Sequence, residues 1–110
     1  MKVVILLLSS LLFAATVEAA QLTLTWTDNS TNETNFQVER CTGASCTSFT
    51  LIGAPGANVT TYVDSTVADA TTYCYRVRAI NSGGSSSYSN TSCATTTTPI
   101  PAAPSNLVVK

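Results

Sequence analysis

The sequence predicts an all-β sandwich stapled by disulfides, and three observations carry that prediction. Several short stretches alternate apolar and polar residues with period two, while no stretch after residue 20 has a helical period. Breaks rich in Gly, Pro, Asn and Ser separate these stretches at short, regular intervals. Four cysteines and no histidine occur in a chain of 110 residues, a pattern that reads as disulfides in an oxidising compartment.

The first twenty residues differ from the rest. Lys2 gives a positive start, an apolar stretch runs from Val3 to Ala15 broken by Ser9 and Ser10, and small residues follow at Ala19 and Ala20. This is the layout of a signal peptide over residues 1–20, cut before or just after Ala20. The stretch is short for a membrane span. The expected product is therefore secreted, with no membrane contact after cleavage.

The strands then follow in order. Leu22, Leu24 and Trp26 alternate with Thr23 and Thr25. Asp28 to Asn35 is a polar turn. Phe36, Val38 and Arg40 alternate with Gln37, Glu39 and Cys41, and a hairpin turn is expected around Gly43 and Ala44. Ser48 to Ile52 returns as a strand, and Ala54 to Asn58 breaks the pattern. Val59 to Val63 is rich in β-branched residues. Tyr73, Tyr75, Val77 and Ala79 form the strongest alternation. Ser82 to Ser85 is a turn, and Ser86 to Thr95 a final polar strand. The domain is thus expected over residues 21–97. Residues 98–110 hold a stiff Pro- and Thr-containing linker, then Leu107-Val108-Val109, which reads as the start of one more strand.

Charge and composition exclude several function classes. After residue 20 the acids Asp28, Glu33, Glu39, Asp64 and Asp69 and the bases Arg40, Arg76, Arg78 and Lys110 form no basic stripe for nucleic acid or anionic lipid. Without histidine, no Ser-His-Asp or Cys-His pair can form. The acids are too scattered to suggest a glycosidase pair. Asp28, Asn29, Asn32 and Glu33 lack EF-hand spacing and read as a polar turn rather than a calcium loop. The paired CxxC knuckles of zinc sites are absent. Gly83-Gly84 opens no helix, so it is no phosphate loop. No enzyme, cofactor or metal is expected. Asn29, Asn32, Asn58 and Asn90 each begin a sequon, which matters only in eukaryotic export.

The ordered set of pieces resembles the fibronectin type III family, as found in secreted bacterial multidomain proteins, over roughly residues 22 to 97. Trp26 matches the core tryptophan of strand B, Phe36 to Arg40 strand C, Thr61 to Asp64 strand E, and Val67 to Ala79 the run into strand F. Asn81 and Gly83-Gly84 match the F–G hairpin. The resemblance implies an immunoglobulin-like sandwich whose structural core includes Trp26, Tyr62, Tyr73, Tyr75 and Val77. Tyr73, at the start of the strongest strand, is expected to form a tyrosine corner. Strand B carries no cysteine, unlike an immunoglobulin domain.

The sheet order implied by the resemblance is C′, C, F, G, with strands about 4.8 Å apart. It places Cys46 on C′, Cys41 on C, Cys74 on F and Cys93 on G. Joining Cys41 to Cys93 would span about 9.6 Å, beyond a disulfide's reach. Joining Cys41 to Cys74 would strand the other two. Cys41–Cys46 and Cys74–Cys93 satisfy both pairs, and stabilise by about 2 and about 3 kcal/mol in the chain-entropy picture.

The seven-strand plan begins with strand A, often Pro-x-x-Pro-x-x-Leu, and here the N-terminal strand A is missing. Pro101 to Val109 resembles it instead. Three readings follow: a fragment entering a second module, a tail folding back, or a strand donated to a neighbouring copy through Leu107, Val108 and Val109. Folding back is tight, since about ten linker residues reach at most roughly 33–36 Å. The expected function is a non-catalytic extracellular module for spacing, adhesion or substrate contact, with a protein or polysaccharide partner. Two alternatives stand beside it: a self-assembling filament subunit, and a polysaccharide-binding accessory module of a secreted hydrolase. Most aromatics fall on inward positions, which leaves no evident sugar platform.

Overall fold

Alternation and β-branched content favour pleated strands, and the chain forms them antiparallel throughout. A computed structural model describes residues 3–7, 13–17 and 20–110. Strands β1 (Val3–Leu7) and β2 (Phe13–Val17) pair with each other, Val3 opposite Val17, in a sheet of their own. The expected leader over residues 1–20 falls partly outside the described residues. Among the described residues no helix is long and apolar enough to cross a membrane.

The remaining strands form two sheets. In the smaller, β3 (Leu22–Thr25) pairs with β6 (Thr61–Asp64), Leu22 opposite Asp64. In the larger, β5 (Thr50–Gly53), β4 (Asn35–Thr42) and β7 (Thr72–Asn81) lie side by side. Both β8 (Gly84–Ser85) and β9 (Ser92–Thr95) pair with the far edge of β7.

The two sheets meet on their apolar faces. Ala20, Phe36, Val38, Val67, Tyr73, Tyr75 and Val77 form the buried cluster, with Leu22, Leu24, Trp26, Ile52, Tyr62 and Ala79 packed against it. Val38 is the deepest large side chain, together with Cys74. Trp26 is half-buried and meets Phe36 edge to face, ring centroids 5.5 Å apart. Tyr62 crosses between the sheets, and its hydroxyl donates to the Ile52 carbonyl at 2.9 Å. Its ring lies so close to Gly53 that a β-carbon there would sit 2.5 Å from it.

Two expected elements differ. The final strand is interrupted: over residues 86–91 only the Ser86 and Ser89 amides still donate to β7, to the Ala79 and Val77 carbonyls at 2.8 and 2.7 Å, while the hydroxyls of the same serines accept from the Ala79 and Val77 amides at 2.9 and 3.0 Å. Serine-rich sequence offers side-chain acceptors that compete with backbone pairing. Cys46 lies in the loop before β5, not on a strand. Gly43, at φ 106°, adopts the left-handed backbone that turns this loop back.

Candidate functional site

The polar phase of two neighbouring strands builds the most developed surface. Register places Glu39 opposite Arg76 and Gln37 opposite Arg78, on the face of the larger sheet that points away from the core. Such cross-strand pairs are the unit of sheet stabilisation. Arg76 Nε donates to Glu39 Oε1 at 2.9 Å, and Arg78 Nε to Gln37 Oε1 at 2.8 Å. Tyr88 donates its hydroxyl to Glu39 Oε2 at 2.8 Å. The Arg76 guanidinium lies over two rings, 4.1 Å from the Phe49 centroid and 3.7 Å from that of Tyr88. Arg78 approaches Tyr88 at 4.7 Å. Leu51, opposite Glu39, is 52% exposed beside this row.

Burial alone would raise the Glu39 carboxyl, which is only 8% exposed. The Tyr88 hydroxyl and the two arginines outweigh it and hold the group below the ordinary carboxylate range. The ladder is therefore charged and fully paired at neutral pH. Phe49 and Tyr88, expected within the strands 48–52 and 86–95, instead lie in irregular segments beside β5 and between β8 and β9. The alternation of Gln37, Glu39, Arg76 and Arg78 was the only part visible in sequence.

Beneath the sheet lies a second polar network. Asp64, 2% exposed, accepts from Arg40 Nη1 at 2.8 Å, Tyr75 Oη at 2.7 Å and Thr66 N at 3.0 Å. Burial opposes its charge, but these donors keep its carboxyl below the usual value. Burial, then the Asp64 carboxylate, push the Tyr75 phenol well up. Arg40 also covers the Tyr73 ring at 4.9 Å. Tyr73 Oη accepts from the Ala68 amide at 2.8 Å, the geometry of a tyrosine corner.

The cysteines lie together at one end of the larger sheet. Cys41, Cys74 and Cys93 are in register across β4, β7 and β9. Cys41 is bonded to Cys46, with Cα atoms 5.8 Å apart, and Cys74 to Cys93, with Cα atoms 4.0 Å apart. The sulfurs of Cys41, Cys46 and Cys74 form the one cluster of metal-ligating type among the described residues, and their bonding leaves no thiolate to bind an ion. The carboxylates of the loop after β3 are taken up by that loop and by the loop between β5 and β6. Asp28 accepts from Ser30, and Glu33 accepts from the Ser30 hydroxyl at 2.7 Å and the Asn58 amide at 3.0 Å.

No family model matches the chain, and no curated protein matches it. Solved structures do. The sixth fibronectin type III domain of human fibronectin type III domain containing protein 3 superposes with TM-score 0.59 at 21% identity, over 79% of this chain and 82% of that one. The corresponding domain of the human collagen alpha-1(XX) chain gives TM-score 0.54 at 19% identity, over 96% and 89%. The twitchin kinase region from C. elegans gives TM-score 0.59 at 18% identity, over 76% of this chain but 15% of that larger one. The fold is that of fibronectin type III domains. In type III terms β3 and β6 are strands B and E, and β5, β4 and β7 are C′, C and F, with G divided between β8 and β9.

The type III plan also locates strand A, beside B. Among the described residues β3 pairs with β6 alone, and its other edge faces a groove of about 680 Å³. Leu22 to Thr27 form one wall, and Val77, Ser89 and Ala94 belong to the other. The indole Nε1 of Trp26, which also lines the groove, is buried without an acceptor. Leu107, Val108 and Val109 do not fill it. They are 90%, 69% and 87% exposed at the end of an extended tail.

Proposed function

We propose that the chain is a non-catalytic module of the cell exterior that holds a protein partner on the outer face of its larger sheet. The observation that carries this reading is the Glu39–Arg76–Tyr88 ladder with exposed Leu51 beside it. Arg and Tyr are favoured contact residues at protein interfaces, and a ladder whose members already hold each other loses little freedom on binding. Two disulfides in a type III fold fit an extracellular domain. The leader-like first twenty residues support export. Adhesion and spacing between partners are the roles that suit such a surface. A polysaccharide is the weaker partner, because stacking on sugar needs an open ring face and Arg76 occupies a face of both Phe49 and Tyr88.

The test uses the oxidised chain, immobilised and exposed in parallel to the exterior proteins of the producing cell and to a glycan array. The expected result is retention of a protein, lost in Tyr88→Ala and Leu51→Asp while the fold persists. Retention unaffected by both substitutions, or binding to glycans alone, overturns the reading.

A further inference from the structure

We infer that the groove beside β3 receives the C-terminal segment Ser105–Lys110 of a second copy of this chain. An unpaired strand edge presents backbone donors and acceptors that template another strand. The groove is more than an edge, because it opens onto the half-buried Leu22, Leu24 and Trp26. Trp26 lines the groove and is only half-buried, so an added strand would cover surface that it now leaves open.

The segment matches the groove in phase. Along a strand Ser105, Leu107 and Val109 share one face, while Asn106, Val108 and Lys110 share the other. The first face is mostly apolar like the inward side of β3, and the second is mostly polar like Thr23 and Thr25. Asn106 stands left-handed at φ 59° and would turn extended on docking. The donor comes from another copy because residues 101–110 lie exposed, in no ladder and outside their own groove. One copy's tail in the next copy's groove is a head-to-tail contact, which extends into a chain of subunits when it does not close.

The test has two parts. Light scattering on the full chain should show mass rising with concentration, with the rise abolished by Leu107→Asp or Val109→Asp and largely retained in Val108→Thr. A synthetic peptide of residues 101–110, added to the Leu107→Asp chain, should shift the emission of Trp26 saturably. The same peptide carrying Leu107→Asp should not. Mass growth insensitive to these substitutions, or a Trp26 signal indifferent to the peptide, overturns the proposal. So does a parent that stays monomeric yet melts above Leu107→Asp, since the tail would then occupy its own groove.

Discussion

Gly53 shows how a single residue sets the distance between the sheets. Tyr62 reaches from β6 to donate to the Ile52 carbonyl, and its ring passes over Gly53 where any β-carbon would clash. Gly53→Ala must push the ring aside or open the sandwich locally. The expected cost is about 1–3 kcal/mol, the usual penalty of overpacking, read as a lower midpoint in chemical denaturation. An unchanged midpoint would mean that the ring moves freely and that the hydrogen bond to Ile52 matters little. Asp64 is the residue with most at stake electrostatically. It is buried, and its charge is tolerable only because Arg40, Tyr75 and Thr66 all donate to it.

At the scale of elements, the split strand G is the least regular part of the domain. The Val77 and Ala79 amides of β7 would face bare loop between β8 and β9, and the Ser89 and Ser86 hydroxyls accept from them instead. Val77 is buried, so Ser89→Ala leaves its amide without a nearby acceptor, at about 1–3 kcal/mol. Ser86→Ala should cost less, because water reaches that exposed position. Amide hydrogen exchange separates the two: protection at Val77 should fall in Ser89→Ala, while Ala79 changes little in Ser86→Ala. Equal protection at Val77 in parent and variant would show that the Ser89 hydroxyl is dispensable.

For the whole molecule the ion pairs set a pH window. Glu39 and Asp64 keep their charge below the ordinary range, and Glu33, held by Ser30 and the Asn58 amide, is lowered to about 2. In the unfolded chain such carboxyls titrate near 4 (roughly 3.9–4.3). As pH falls past those values the unfolded chain takes up protons that the fold refuses. The stabilisation is therefore complete above about pH 5 and lost as pH falls through the folded values. Tyr75 works in the opposite sense. Its phenol is raised, so the unfolded chain loses that proton first and stability declines above about pH 10. Melting temperature against pH should show a plateau with two falling limbs. Asp64→Asn should lower the plateau and make both limbs shallower, since Asp64 is itself a lowered carboxyl and helps to raise Tyr75. Limbs of unchanged slope in that variant would remove Asp64 from the account.

Much of this architecture was legible in the residues. Period-two alternation is local, because successive side chains on a strand point to opposite faces, so Leu22 to Trp26, Phe36 to Arg40 and Tyr73 to Ala79 show both their conformation and their buried side. The alternation even places Arg40 on the inward face. Nothing local says what neutralises it there, since Asp64 lies 24 residues away in sequence and reaches it only when the sheets close. The same limit hid the candidate site. Glu39 and Arg76 show their shared outward phase, but Phe49 and Tyr88, read as strand residues within 48–52 and 86–95, fall in irregular segments, and only the fold brings both rings onto one guanidinium. The interruption of strand G was invisible because serine hydroxyls imitate backbone acceptors without altering the polar pattern. The tail's likeness to a strand is written in Leu107 to Val109, whereas the groove proposed to receive it exists only between β3 and the far side of the larger sheet. Alternation, turns and cysteine count are properties of neighbours along the chain, and the sequence determined those alone. Partners across the sandwich depend on register and sheet closure, and the tertiary structure decided them.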